Sequence, residues 1–272
     1  SLPRRLLWRI EAAVAAALFA LCRALGPVRA SNLGGAVLRT IGPLLPVNRV
    51  AEVNLRLAFP DRDEKFRRAT IRAMWDNLGR VAGELPNLAA IMRRWNAKDG
   101  AGWIAHGAEH IRGVANGGGP VVFFSGHFGN WEVLPGAAIR LGIGFGIVYR
   151  AIGNPHIDRM VRRMRAAGSG EDSIPLFPKG AEGARGIFAH LRRKGGIGLL
   201  SDQKMNDGVA APLFGRPAMT APAAAQLALR FDCPMIPVRT VRLGPARIGV
   251  LIEPPLPRPA PGSRHEDVAL LT

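Results

Sequence analysis

A histidine and a carboxylate lie five positions apart in the stretch VVFFSGHFGNWE, which runs from Val121 to Glu132. The imidazole of His127 titrates near neutral pH, so it can take a proton from a hydroxyl group, and Glu132 can orient the ring and stabilise its charged form. The spacing alone is weak evidence for a catalytic pair, because a chain with six histidines and twenty acidic residues contains about 0.4 such pairs by chance. The alternative is a partly buried histidine on a packed turn beside a surface glutamate.

The residues around His127 favour the catalytic interpretation. The apolar run before Ser125 predicts the end of a buried strand, Ser125 and Gly126 predict a tight turn, and the apolar run Val133 to Leu141 predicts a helix. In α/β proteins, chemistry is commonly carried by groups that follow the carboxyl ends of strands. We therefore expect His127 at the mouth of a sheet.

Two further polar residues follow apolar, strand-like runs. Arg150 could bind a phosphate or help to stabilise an oxyanion, and the alternative is a surface arginine at a strand end. Asp202 could pair with Arg150 or place the acceptor, and the alternative is a cap on the next turn. Both residues are expected at the same edge of the sheet as His127.

Strand-like and helix-like segments alternate after His127, which predicts an α/β fold with a mostly parallel sheet flanked by helices. The predicted strands include Ile143 to Tyr149, Ile197 to Ser201, Met235 to Val241 and Ile248 to Ile252, and the predicted helices include Asn154 to Ala167, Ala181 to Lys194 and Ala221 to Phe231.

Residues 1–50 are expected to form a membrane-anchoring helical segment ahead of an α/β domain at residues 51–272. The uninterrupted apolar run Ala12 to Cys22 would make about 16 Å of helix, whereas a bilayer core is about 30 Å thick. The longer stretch Leu6 to Leu25 could span, but it contains Arg9, Glu11 and Arg23. An interfacial helix, a core helix and a signal peptide are the alternatives. The chain stops within a helix-like stretch, so we expect the domain to be truncated at its C-terminus.

The composition indicates anionic partners. The chain carries 37 Lys and Arg against 20 Asp and Glu, a net charge of +17. Nucleic acid is not favoured as the partner, because the basic residues are dispersed rather than interleaved with aromatic ones. The two cysteines, Cys22 and Cys233, are far apart and suggest neither a disulfide framework nor a metal cluster. The stretch HGAEH from His106 to His110 matches the pattern of inverted zinc peptidases, which is a remote alternative for the function.

The stretch GHFGNWE resembles the HX4D/E block of the glycerolipid acyltransferase superfamily, in the form found in the lipid A late (secondary) acyltransferases, the lauroyl and myristoyl acyltransferase family. Other stretches resemble blocks of that family in the same order: NLRLAFPD at Asn54 to Asp61, GIVYR at Gly146 to Arg150, NPHID at Asn154 to Asp158, SDQK at Ser201 to Lys204, PLFGRPAMT at Pro212 to Thr220 and CPMIPV at Cys233 to Val238.

This resemblance implies transfer of an acyl chain from acyl carrier protein to a hydroxyl of an acylated lipid A precursor, on the cytoplasmic face of a bacterial inner membrane. It implies a His127 and Glu132 dyad as general base and Arg150 at the active site. No Ser or Cys next to His127 has a nucleophile-elbow pattern, so we expect direct transfer without a covalent enzyme intermediate, a cofactor or a metal. An acyl-CoA-dependent enzyme acting on another glycolipid, such as a phosphatidylinositol mannoside, is the main alternative.

One block departs from the pattern of related enzymes. The stretch FPKGAEGARG, from Phe177 to Gly186, resembles the FPEGTRS block of glycerol-phosphate acyltransferases but carries Lys179 where they carry a glutamate. Lys179, Arg185 and the backbone amides around Gly180 could hold a phosphate.

Overall fold

The protein folds as a seven-stranded sheet with helices on both faces and a long apolar helix at its N-terminus. The computed structural model describes residues 2–172, 174–178, 180–259 and 264–272. The helices are α1 (Leu2–Ile41), α2 (Asn48–Ala58), α3 (Glu64–Glu84), α4 (Leu88–Met92), α5 (Val133–Arg140), α6 (Pro155–Ser169), α7 (Ala181–Arg192), α8 (Ala223–Arg230) and α9 (Arg264–Leu271). The strands are β1 (Gly102–His106), β2 (Val121–Ser125), β3 (Phe145–Tyr149), β4 (Leu176–Pro178), β5 (Gly196–Leu200), β6 (Val209–Leu213), β7 (Arg216–Thr220), β8 (Met235–Gly244) and β9 (Arg247–Ile252).

The strand order in the main sheet is β1-β9-β8-β2-β5-β3-β4, and β6 and β7 form a separate hairpin. The five strands β8, β2, β5, β3 and β4 run parallel to one another. Strand β9 runs antiparallel to β8, and β1 runs parallel to β9. The predicted α/β fold with a mostly parallel sheet is therefore confirmed, and the carboxyl ends of β2, β5 and β3 lie at one edge.

Side chains of the central strand β2 alternate between two cores, because successive residues of a strand point to opposite faces. Val121 and Phe123 pack in the core that includes Val133 of α5, and Val122 packs in the core that includes Leu191 of α7. The strand is buried on both faces, which explains its uninterrupted apolar sequence.

The predicted N-terminal helix is present and packs along α3. It is interrupted at Gly26, whose φ of 73° and ψ of 168° are not helical. By length and composition the segment Arg4–Leu44 could cross a membrane, although the core helices of soluble proteins and signal sequences meet the same criteria.

The backbones of α1 and α3 touch at glycines. A Cβ atom on Gly79 would lie 2.0 Å from the carbonyl oxygen of Gly34, and one on Gly83 would lie 2.2 Å from the carbonyl oxygen of Ala30. These distances are far below van der Waals contact. The closeness of the two helices therefore depends on the absence of side chains at these positions.

The stretch HGAEH does not form a zinc-binding helix. Strand β1 ends at His106, Gly107 adopts a left-handed φ of 81°, and a 3-10 turn follows at Ala108–Ile111. Within the described ranges, no group of three or more His, Cys, Asp or Glu side chains could hold a metal ion. A continuous helix bearing both histidines is what the zinc peptidase pattern requires, so the local structure contradicts that alternative.

We expect Gly79→Ala to destabilise the protein by about 1–3 kcal/mol, because the new methyl group must push α1 away from α3. Alanine favours helix more than glycine does, so a loss of stability would have to come from the helix contact. The measurement is the denaturant midpoint of the purified protein in detergent. Gly113→Ala is the control, since a Cβ there meets nothing within 4 Å. A more stable Gly79→Ala protein would contradict the close packing.

Candidate active site

Two neighbouring strands bring His127 and Asp202 together. Strands β2 and β5 are parallel, and Ser125 is paired with Leu200 at their carboxyl ends. The backbone N–H of Ser201 donates a hydrogen bond of 2.9 Å to the carbonyl of Ser125, which carries the ladder one residue further. Each strand is followed two residues later by one of these side chains, so the two side chains lie next to each other.

The carboxylate of Asp202 binds His127 through both of its oxygens. Oδ1 lies 2.8 Å from Nδ1 of the imidazole, and Oδ2 accepts the backbone N–H of His127 at 2.7 Å. The His127 side chain is 33% exposed and that of Asp202 is 39% exposed. Solvent and substrate can therefore reach a ring whose orientation is fixed by its neighbour. The rings of His127 and Trp131 pack edge to face, with 4.8 Å between their centroids.

The pKa values of the pair move apart. The hydrogen bond to Asp202 raises the pKa of His127, burial opposes it, and the charges of Asp202 and Glu132 add to the increase. Burial pushes the pKa of Asp202 upward, but the hydrogen bonds from the ring and the backbone of His127 outweigh it, and the pKa is lowered. An ionised carboxylate only accepts hydrogen bonds, so the neutral ring carries its proton on Nδ1. Nε2 is left with a free electron pair, as a general base requires.

The spacing HX4E suggested that Glu132 orients the ring, but Asp202 has that contact. Glu132 is buried and forms a bidentate ion pair with Arg165 of α6, with nitrogen to oxygen distances of 2.6 and 2.7 Å. The Arg165 pKa is pulled down by burial and raised on balance by Glu132. The charge of Glu132 still raises the pKa of His127 from a distance. Its direct contact, however, ties the start of α5 to α6.

A second buried carboxylate holds the turn between His127 and Glu132. Glu84, at the end of α3, is fully buried and accepts hydrogen bonds from Asn130 at 2.7 Å and from Ser31 of α1 at 2.6 Å. Arg242 of β8 neutralises its charge through both terminal nitrogens. Asn130 is also fully buried, and its Oδ1 accepts the backbone N–H of Glu132 at 3.1 Å.

The backbone of the turn is fixed on both sides of Gly129. The Gly129 carbonyl accepts a hydrogen bond of 2.9 Å from Asn77, and the carbonyl of Phe128 accepts one of 2.5 Å from the hydroxyl of Thr240. Gly129 has a φ of 48°, and a Cβ there would lie 2.8 Å from the Thr240 carbonyl oxygen. The positive φ and the close contact with Thr240 therefore explain why the second glycine of GHFGNWE, Gly129, has no side chain.

Arg150 lies where the sequence placed it, directly after β3 at the same edge as His127, and it is exposed. One strand, β5, separates β3 from β2. The loop after Arg150 is anchored by Asp158, which accepts the backbone N–H of Ile152 at 2.9 Å and the Tyr149 hydroxyl at 3.0 Å. The predicted pairing of Arg150 with Asp202 is not formed, because the Asp202 carboxylate binds His127 instead.

The predicted phosphate-binding segment after β4 is less closely connected to the histidine. Lys179 lies outside the described residues. Arg185 is exposed on α7, and β4 is separated from β2 by two other strands. Gly183 packs against the Pro178 backbone, since a Cβ there would lie 1.6 Å from the carbonyl oxygen of Pro178. Gly183 is therefore required for the close turn between β4 and α7.

A comparison with protein families identifies the chain. The model of a family described as bacterial lipid A biosynthesis acyltransferase matches residues 4–267, which is nearly the whole sequence. No curated protein matches the chain significantly.

We expect Asp202→Asn to lower the rate of acyl transfer by about 10²- to 10⁴-fold, because the ring loses both its orientation and the charge that favours proton uptake. A histidine base acts in its neutral form, so we expect the wild-type rate to rise with pH through the raised pKa of His127. In the variant this increase moves to lower pH. The pH–rate profile measures the shift, and Asp207→Asn, in an exposed loop, is the control. An unchanged profile would remove Asp202 from the mechanism.

We expect Glu132→Gln to destabilise the protein by about 3–5 kcal/mol, because Arg165 keeps a largely buried charge without its partner. The double variant Glu132→Gln with Arg165→Met should recover most of this loss, since no unpaired charge remains. Chemical denaturation of both variants provides the measurement. A stable but inactive Glu132→Gln protein would show instead that Glu132 takes part in the chemistry directly.

Proposed function

The chain belongs to the bacterial lipid A biosynthesis acyltransferase family, and from this we propose that it transfers a fatty acyl chain from acyl carrier protein to a hydroxyl of an acylated lipid A precursor. The observation that carries the proposal is the exposed His127 ring held by Asp202 at the carboxyl edge of the sheet. We place the reaction at the cytoplasmic face of the bacterial inner membrane.

In the proposed reaction, Nε2 of His127 takes the proton of the acceptor hydroxyl as its oxygen attacks the thioester carbonyl. The new carbon–oxygen bond gives a tetrahedral oxyanion, and the imidazolium is stabilised by Asp202 through the 2.8 Å contact. Collapse of the intermediate breaks the carbon–sulfur bond. The leaving thiolate then takes the proton back from His127, so the enzyme returns to its starting state. General base catalysis of this kind typically contributes about 10²- to 10⁴-fold to the rate.

The side chains near the pair favour direct transfer over a covalent intermediate. Ser125 carries the hydroxyl nearest to His127 in sequence, and this hydroxyl donates a hydrogen bond of 3.3 Å to the carbonyl of Gly126. Cys233 precedes β8 at the opposite edge of the sheet, and burial raises its pKa to about 11. Cys22 lies on α1, and burial raises its pKa as well. No cysteine is thus placed as an activated nucleophile beside His127 in the described part of the chain.

The charges of the substrates support the assignment of partners. Acyl carrier protein is acidic and lipid A precursors carry phosphate groups, and the chain has a net charge of +17. The exposed guanidinium of Arg150, at the same edge as His127, is proposed to stabilise the oxyanion or to hold a phosphate of the acceptor. Arg185 and Lys179 are proposed as more distant phosphate-binding groups.

The decisive experiment offers acyl carrier protein and CoA thioesters of the same acyl chain to a tetra-acylated lipid A precursor and follows the product mass. We expect transfer from the carrier protein donor, and a loss of at least about 10²-fold in His127→Ala. His106→Ala is the matched control, since His106 is exposed and two strands, β9 and β8, separate β1 from β2 in the sheet.

Transfer from CoA alone would reject the proposed donor and favour the acyl-CoA-dependent alternative. Full activity of His127→Ala would reject the proposed base. If a folded wild-type protein transfers the acyl chain from neither donor, this acceptor is rejected.

A further inference from the structure

We propose that the first half of α1 lies in the plane of an anionic bilayer surface instead of crossing the membrane. The residues concerned run from Leu6 to Leu21. This inference uses no step of the acyl transfer reaction, so its test is independent of the proposed function.

The first observation is that the helix is fastened to the rest of the protein along its length. Asn154, at the start of α6, donates hydrogen bonds to the Trp8 carbonyl at 2.8 Å and to the Glu11 carboxylate at 2.9 Å. Asn87 donates one of 2.9 Å to the carbonyl of Cys22. These two attachments are about 21 Å apart along the helix axis, which is most of the thickness of a bilayer core.

The second observation is a stripe of exposed apolar side chains on the other side of the helix. Its members recur every three or four residues, so they share one face. They are Leu6 at 60% exposure, Ile10 at 55%, Val14 at 56%, Leu18 at 56% and Leu21 at 49%. Side chains such as Trp8 and Ala12 are only partly exposed and face the protein. A stripe of this size is a binding surface for an apolar partner.

A membrane-crossing orientation conflicts with the neighbours of the helix. A cleft of about 390 Å³ between α1 and α6 is lined by Arg9, Ala12, Ala13, His156, Arg159, Met160 and Arg163. If residues 8–22 crossed the hydrocarbon, the exposed guanidinium groups of Arg159 and Arg163 would enter it beside Ala12 and Ala13. Charged side chains are excluded from that region unless they are paired. Among the described residues, neither arginine has an ion pair with an acidic side chain.

In the in-plane orientation, the basic side chains of this cleft lie in a favourable environment. Interfacial helices bury an apolar face about 5–10 Å below the headgroups, where basic groups meet lipid phosphates. Arg9, Arg159 and Arg163 would then lie at the level of the anionic headgroups. A second copy of the chain fits the stripe poorly, because it would oppose basic residues with basic residues. The only acid between residues 4 and 25 is Glu11, which already binds Asn154.

The test measures depth in the bilayer. Spin labels are placed one at a time through Leu6→Cys, Val14→Cys and Leu21→Cys in a Cys22→Ala, Cys233→Ala background, in nanodiscs of phosphatidylcholine and phosphatidylglycerol at 3:1. We expect all three labels at about the same depth, about 5–10 Å below the phosphates. A label at Asp99, whose side chain is 90% exposed, is the aqueous control.

Val14 at the bilayer centre, with Leu6 and Leu21 near opposite surfaces, would overturn the proposal in favour of a spanning helix. Labels that stay in water and broaden one another would overturn it in favour of a second copy.

A second measurement addresses the basic cleft. The variant Arg159→Gln with Arg163→Gln should bind vesicles of the same mixture about 25-fold more weakly, since each basic residue near an anionic surface contributes about fivefold. Binding to pure phosphatidylcholine vesicles should not change. Equal binding of variant and wild type to the anionic vesicles would remove the cleft from the membrane surface and overturn this part of the proposal.

Discussion

The structure depends on one carboxylate that has no access to water. Glu84 joins α1 through Ser31, the His127 turn through Asn130, and the sheet through Arg242 and the backbone N–H of Ala246. A charge buried to this degree is tolerated only because every partner is present. The position of the N-terminal helix and the position of the turn that carries His127 are therefore set by the same group.

The carboxylates around the site have different roles because their surroundings differ. Asp202 stays partly exposed, and its charge is available to His127 whenever the ring takes up a proton. Glu132 is buried, and both of its oxygens are occupied by Arg165. Its contribution to His127 is a distant charge and a rigid start for α5. The stretch GHFGNWE therefore contains one residue at the carboxyl edge of the sheet, His127, and one that holds the framework, Glu132.

The sequence allowed a more complete prediction of the fold than of the candidate site. Alternating apolar segments identified β2, β3, β5, β8 and β9 with their helices, because periodicity is a local property. Strand order is not local: nothing in the sequence indicates that β5, and not β3, is the neighbour of β2. Asp202 was therefore found as a residue at a strand end but not as the partner of His127. Arg165 and Glu84 were missed for the same reason, since they lie 33 and 46 positions from the residues that they hold.

The bonds of Glu84 also impose an order on biosynthesis. Ser31 and Glu84 leave the ribosome early, whereas Arg242, which neutralises the carboxylate, is among the last residues of the sheet to be made. Before Arg242 is present, burial of Glu84 against α1 would leave the carboxylate charge without a cation. Docking of the N-terminal helix against Glu84 is therefore unfavourable until Arg242 has been made. The N-terminal helix is therefore expected to dock in its final position only after β8 has been synthesised.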